Sequence, residues 1–580
     1  MGINANYMTW NPLYLIDSSY PPTVPVEQGN LVLNTNNSNV GIGATQSFFT
    51  GKWYYEILVV TEGKFLMGLL TLDTFNSQKV QPHNRTGSYW VDNDGTKYVE
   101  GANSTISGFD PSDGDIIQFA FDRDARKLWV GLNGTYVGSG NPSAGSNELF
   151  SASDFAISTG AFMPAIGLYN SATTKCILNA GQDSSFIQNK TSGSANASDG
   201  NGFGDFYYTP PTDFLACAGP NIPTSSDIDP AGEDGETENP DKQAGAVLYT
   251  GNGGSPDLAV TGLGFQPDLV WGKARGASQL PILQDSARGQ ELLFSSDSKV
   301  AQTSNGPFMA SYDADGFTYD GSGSNPNDGS VTYVAWCFRA NGGTATATIT
   351  ESGNNPGAVV QANPKGGFSI ITYTGTGGAG TIAHGLDSAP TFMIMKNRGV
   401  ADPWAVYHIG TDASAPATKY LVLNTNAAAA DDATYWNDTA PTSSVLTVGT
   451  NHSVNADGEN YVAYVWAPVE GGSRFGRFQG NDDDDGTFIY TGFRPKIIFI
   501  KENDNADDWC VYDTARSTFN PVQKVVRWEN AAAEFDNSAR AIDILSNGFK
   551  IRTSNNTINQ ASTFVYGAWG DVPFKYNNTF

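Results

Sequence analysis

The sequence predicts an all-β protein: an N-terminal β-sandwich followed by three repeated β-sandwich or jelly-roll modules. Three observations carry this expectation. Glycine is abundant (65 residues) and Phe, Tyr and Trp make up 12% of the 580-residue chain, against only 16% charged residues. Aromatic rings pack well on pleated surfaces, and glycine supplies the positive φ that tight turns need. No stretch longer than about ten residues keeps a 3.6-residue apolar period. Beyond the first domain the chain repeats itself, with a period of about 100–125 residues, long enough for each copy to fold alone.

In chain order, residues 1–220 form the first domain. Residues 187–206 are rich in Gly, Ser, Asn and Asp and read as a long loop, whereas the more apolar Phe206 to Ala216 is expected to dock back on the domain. Residues 221–243 contain the acidic stretch from Asp227 to Lys242 and read as a linker. The three copies then occupy 244–345, 366–473 and 477–580.

Each copy opens with Tyr-Thr-Gly at a strand end, the triplets beginning at Tyr249, Tyr373 and Tyr490. A proline then leads a hydrophobic strand ending in lysine: Pro267 to Lys273, Pro390 to Lys396 and Pro495 to Lys501. Twelve residues past each lysine stands a polar residue closing the next strand, Asp285, His408 or Asp513. In copies one and three an arginine follows three residues later, at Arg288 and Arg516. An aromatic strand beginning at Tyr333, Tyr461 or Phe564 closes each copy. Agreement of order, spacing and residue type over about 100 residues points to duplication. Period-2 alternation marks these runs as strands, several of them apolar on both faces. A string of separately folded domains is expected. The Asp/Arg pairs read as ion pairs pinning strand ends, and the lysines as strand-end charges guarding a sheet edge.

Four blocks of the first domain carry a family resemblance: Gly51 to Glu56, Gly114 to Asp122, Lys127 to Gly134 and Phe162 to Gly167. In this order over about 130 residues they resemble the SPRY domain. The resemblance implies a SPRY-like bent β-sandwich with these blocks as core strands and the Asn133-Gly134 turn joining two of them. The residues agree, because Gly114-Asp115 and Asn133-Gly134 are turn dipeptides flanking a hairpin of apolar strands. Together with Thr9 to Pro12, Gln28 to Leu31 and Gly181 to Phe186, the pattern looks like a SPRY variety found in tail and fibre-like proteins of marine, especially cyanobacterial, phages. The C-terminal copies resemble an uncharacterised module that accompanies SPRY in such proteins. SPRY domains bind partners through loops at one end of the sandwich. Here these loops correspond to roughly 75–105 and 135–160, with Tyr89, Trp90, Tyr98 and Tyr136 as candidate ligand-binding residues. Aromatics beside Asn and Asp suit sugar recognition, since rings stack on apolar sugar faces while polar groups bond hydroxyls; the competing reading is that the rings are core.

The net charge of −27 repels phosphate backbones and anionic membranes, which argues against nucleic-acid binding as the main task. No apolar run reaches 18 residues, so no membrane insertion is expected. The first residues have neither the basic nor the apolar region of a secretory leader, and Asn6 stands where a myristoylation signal takes Ser or Thr. Cys176, Cys217, Cys337 and Cys510 lie far apart without metal-ligand spacing, and they read as small buried residues of a protein made in a reducing cytoplasm. Asp92 to Gly95 and Asp313 to Gly316 begin like calcium loops but lack the closing glutamate, and the Asp482 to Asp485 run reads as a solvated acidic loop. No catalytic set, cofactor or metal site is expected: no strand alternates acids as jelly-roll glycosidases do, and His83, His384, His408 and His452 are scattered. The expected function is that of a non-enzymatic virion protein, a tail fibre or appendage component that binds host-surface glycan or receptor. Its partners would be other virion proteins, and a homo-oligomer is expected. A structural adaptor or capsid decoration is the alternative, and a glycan depolymerase the third reading.

Overall fold

The computed structural model describes residues 7–15, 26–35, 40–71, 82–84, 87–155, 161–168, 173–191, 197–223, 239–289, 293–294, 300–301, 309–321 and 325–573. Most of the acidic linker, and parts of both expected binding loops, lie outside these residues. The described chain is nearly all β, with three α-helices of four residues each. It divides into two compact units, Met1–Pro223 with Thr487–Gly492, and Thr224–Gly486 with Phe493–Phe580.

The first unit is a sandwich. One sheet runs in the order Trp10–Leu15, Val40–Ala44, Phe162–Leu168, Phe65–Thr71, Ser88–Asp92, Thr96–Val99, Ala102–Thr105. The other runs Thr135–Tyr136, Lys127–Leu132, Ile116–Asp122, Lys52–Thr61, Thr174–Asn179, Val32–Thr35, Val26–Glu27. Their inner faces meet through Phe121 and Phe162, whose ring centres lie 5.4 Å apart, with Phe155 packed on both. All four blocks quoted above fall on core strands. The hairpin Ile116–Asp122/Lys127–Leu132 is flanked by the two turn dipeptides, although Asn133-Gly134 leads only into the two-residue strand Thr135–Tyr136. The strand Lys52–Thr61 is largely buried on both faces: Phe206, Phe214 and Ala216 pack with Tyr54 and Trp129, and Leu215–Ala216 extends the sheet by pairing parallel to Trp53 and Tyr54. The segment after the polar loop thus docks back as expected.

In the second unit each copy has a main sheet with one connectivity: opening strand, closing strand, lysine strand, then the strand ending in the polar residue. Copy one orders Ala244–Thr250, Thr332–Phe338, Leu269–Ala274, Ile282–Asp285. Copy two orders Phe368–Thr374, Asn460–Trp466, Phe392–Asn397, Ala405–His408, and copy three Ser473–Gln479, Thr563–Pro573, Phe493–Glu502, Trp509–Asp513. A small second sheet covers one face, as Leu258–Thr261 with Gly316–Tyr319 does in copy one and Gly380–Ala383 with Val445–Val448 in copy two.

Two expectations are corrected here. The opening strand of copy three is Ser473–Gln479, so Tyr490-Thr491-Gly492 is not the counterpart of the other two triplets; Phe478-Gln479-Gly480 is. The ring pairs show it: Tyr249 stacks on Tyr333 and Tyr373 on Tyr461, both at 5.0 Å, and Phe478 stacks on Phe564 at 5.2 Å. Nor are the copies a string of independent domains. Strand alternation sends Ala335 and Cys337 into copy one's own core and Val334, Trp336 and Phe338 the other way. In copy two Ala463 and Val465 face its own core, while Val462, Tyr464 and Trp466 turn outward. The outward faces of all three copies meet in one shared core. A strand apolar on both faces needs two covers, and the small sheet supplies only one.

Candidate functional site: a tyrosine surface on the first unit

The most distinctive polar positions of the repeat are consumed inside the second unit. Lys273, Lys396 and Lys501 are buried on interior strands, not at an edge. Each Nζ donates to backbone carbonyls at or beyond the end of its strand: Lys273 to Gln279 (2.6 Å), Lys396 to Asn397 (2.7 Å) and Val400 (3.2 Å), Lys501 to Glu502 (2.5 Å). Burial lowers each ammonium to about 8. Asp285 accepts from Arg288 Nε at 2.6 Å and from the Tyr464 hydroxyl of copy two at 2.7 Å. Asp513 accepts from Arg516 Nε at 2.6 Å and from Trp336 Nε1 of copy one at 3.0 Å. His408 accepts from the Gly410 amide at Nδ1 (3.0 Å), which leaves Nε2 to donate to the Tyr566 carbonyl of copy three at 3.1 Å. The drifting Asp/His/Asp position therefore ties copy one to two, two to three, and three to one.

Other reactive groups are equally occupied. All four cysteines are buried, which pushes their thiols up, Cys510 to about 12. His384 is buried between the Thr442 carbonyl and the Leu386 amide. Asp92 caps its hairpin turn by accepting from the amides of Asp94 and Thr96, and Asp313 accepts from the hydroxyls of Ser311 and Thr318. The 482–485 acids are not a loose loop: Asp485 pairs with Lys550 at 3.0 Å, and Asn559 holds the Asp483 carbonyl. Among the described residues no three His, Cys, Asp or Glu side chains converge to hold a metal. No helix among them is long and apolar enough to cross a membrane.

Of the four candidate binding aromatics, Tyr89 and Trp90 are at 0% exposure, so neither ring offers a face to a ligand. Their strand Ser88–Asp92 is covered on both sides, with Tyr89 packed on Phe155 and its hydroxyl donating to Glu100. Tyr98 and Tyr136 are half-buried and stand on different sheets. Tyr98 donates to Asp92 at 3.3 Å and its ring lies 4.7 Å from that of His83.

Around Tyr136 the docked segment adds two more half-buried rings, Tyr207 and Tyr208. A single carboxylate sets them. Glu56, fully buried mid-strand, accepts from the Tyr208 amide (2.8 Å) and the Tyr54 hydroxyl (2.9 Å) at Oε1, and from the Tyr207 amide (3.0 Å) and Asn179 (3.2 Å) at Oε2. Burial pushes Glu56 up to about 7, against the pull of those donors. The rings of Tyr207 and Tyr208 meet at 66° with centres 5.0 Å apart, forming a corner. Tyr208 lies over Gly134, where a Cβ would come within 2.9 Å of the ring and φ is +85°. Beside the corner, Asn133 donates to Asp115 at 2.7 Å, and Ser112 donates to it through amide and hydroxyl. These donors and Lys190 overcome burial and hold the Asp115 carboxyl below its usual range. Tyr207, Tyr208 and Glu56 were not singled out from sequence. The available signal was Glu56 itself, a carboxylate interrupting an apolar strand, which demands buried donors.

A protein-family model, described as a domain of unknown function (DUF7483), matches residues 239–573, more than half of the chain and all three copies. The chain belongs to the DUF7483 family. The DUF7483 region thus coincides with the repeats that share one core. No curated protein matches the sequence. Among solved structures, the chain is similar to the SPRY domain of human HERC1, at 16% identity and a TM-score of 0.23, over 29% of this chain and 96% of that one. It is also similar to the TRIM65 PSpry domain, at 11% identity and a TM-score of 0.21, over 30% and 93%.

Proposed function

We propose that this protein is a non-enzymatic phage virion component, a tail fibre or appendage, whose first unit contacts the host surface. The observation that carries the reading is a pair of half-buried tyrosines, Tyr207 and Tyr208, whose backbone amides are anchored by Glu56. Anchoring the backbone that carries the rings lowers the entropic cost of presenting them. The recurring lysines of the repeats and Asp285, His408 and Asp513, by contrast, are committed to buried contacts. The virion setting rests on the sequence pattern described above. In this role the DUF7483 unit is a scaffold, and copy number multiplies weak contacts into useful avidity. Purified protein is expected to bind host cells and reduce phage adsorption, with immunogold placing it on the tail or an appendage. Failure to bind cells together with tight binding to purified capsids or tails overturns the attachment reading.

One observation favours the adaptor reading as the second choice. Phe519 is 85% exposed, yet its loop is fixed by Asn520, which bonds both the amide and the carbonyl of Ile544. A rigid apolar protrusion of this kind suits docking onto another virion protein.

A further inference from the structure

We propose that the corner formed by Tyr207 and Tyr208, with Asp115, Asn133 and Lys190 beside it, is a binding site for an uncharged saccharide. The proposal deepens the attachment reading by naming a ligand class and a location for the contact.

The inference starts from the two rings. Both are half-buried, their centres 5.0 Å apart and their planes at 66°. Sugar rings carry patches of C–H groups that stack on an aromatic face, flanked by hydroxyls that need partners in the ring plane. Asp115 supplies ionised acceptors at neutral pH, because its donors and Lys190 hold it in the charged form. Asp115 and Tyr208 are near enough to interact electrostatically, as are Asp115 and Lys190, so acceptor, ammonium and ring converge.

The site is also preorganised. Glu56 pins both tyrosine amides, Gly134 makes room for the Tyr208 ring, and Asn133 spans from the turn to Asp115. The backbone carrying the rings is thereby ordered before binding, which matters for a weak ligand.

Two alternatives fit less well. An extended peptide would pair with the neighbouring sheet edge, but the edge strand Thr135–Tyr136 is only two residues long. An acidic polysaccharide would approach a molecule of net charge −27, with Asp115 at the point of contact. An uncharged sugar meets neither obstacle.

The test is saturation-transfer NMR on the full-length protein, using cellohexaose, mannohexaose and chitohexaose as neutral probes and hexagalacturonate as the charged comparator. The expected result is transfer to the ring C–H protons of at least one neutral probe. Affinity should fall about tenfold in Tyr208→Ala, the loss of one stacked ring, fall similarly in Asp115→Asn, and persist in Tyr208→Phe. An unchanged melting transition of Tyr208→Phe keeps the comparison independent of folding. No transfer from any neutral probe, equal transfer in Tyr208→Ala, or stronger transfer to hexagalacturonate overturns the proposal. A protein that blocks adsorption yet shows no transfer removes this site while leaving the attachment reading. Transfer without any effect on adsorption does the reverse.

Discussion

Two buried titratable residues respond to acid in opposite directions. Glu56, raised to about 7 by burial, takes up its proton more readily in the folded first unit than in the unfolded chain. Folding there binds a proton between roughly pH 4.5 and 7, so this contribution is lost as pH rises through that window. His408 in the second unit is pushed down to about 3 by burial among the rings of Phe392, Phe475 and Phe499. The unfolded chain takes the proton first, near 6.5, so stability from His408 is lost as pH falls below that value. His408→Gln keeps an acceptor for Gly410 and a donor for Tyr566 but does not titrate. Its stability relative to wild type should improve by about 1.4 kcal/mol for each pH unit below about 6. Denaturant melts at pH 7 and pH 5 read this directly, and an equal difference at both pH values rules it out. The three lysines act in an alkaline window: folded near 8 against about 10.5 unfolded, they weaken the second unit less as pH rises between those values.

At the level of elements, each copy is closed by the same stitch. A buried asparagine, Asn327, Asn455 or Asn559, accepts through Oδ1 from the amide just after the opening strand's terminal glycine, at Asn252, Thr376 and Asn481. The glycine is required by close approach, since a Cβ at Gly251, Gly375 or Gly480 would collide with the carbonyl of Asp328, Ala456 or Gln560. Asn559 also donates to Asn481, Asp483 and Thr553, so Asn559→Ala strands several buried groups. It should cost on the order of 3 kcal/mol and raise amide exchange across 481–485; unchanged exchange there would show that the stitch does not hold the loop. This element explains a misreading as well. Tyr490-Thr491-Gly492 repeats the letters of the other triplets, whereas the true counterpart has Phe for Tyr and Gln for Thr. Identity marked the wrong strand, because packing conserves a stacked ring pair and a glycine, not the hydroxyl. The lysine strands and the SPRY-like blocks were legible for the opposite reason: their apolar alternation is itself the packing signal.

For the second unit as a whole, the copies hold one another. Trp271 of copy one stacks on Trp528 of copy three at 4.0 Å, Phe392 of copy two meets Phe499 at 4.9 Å, and Phe338 meets Trp466 at 5.4 Å. Arg275 and Glu534 add a two-bond ion pair between copies one and three, at 2.8 and 2.9 Å. An excised copy one, residues 244–345, would expose Trp271, Trp336 and Phe338, each worth about 2 kcal/mol when buried. It should be unfolded or aggregated, while residues 239–573 melt in one transition; three separate transitions would contradict a shared core. The duplication was readable from strand order and the twelve-residue offset. The shared core was not, because a run apolar on both faces names two partners without saying which chain segment supplies the second.

The cyclic ties carry an evolutionary consequence. A linear repeat array gains or loses units by unequal recombination, since each unit has open neighbours on both sides. A closed circle of three offers no vacancy: a fourth module has no place to insert, and the loss of one leaves two unmatched faces. Exchange of modules is barred too, because Asp285 is matched to the Tyr464 hydroxyl, His408 to a backbone carbonyl and Asp513 to the Trp336 indole. Putting copy one's aspartate in place of His408 would set a carboxylate against the Tyr566 carbonyl. Copies so matched diverge in concert, and the module count of this family should stay at three where the circle is kept.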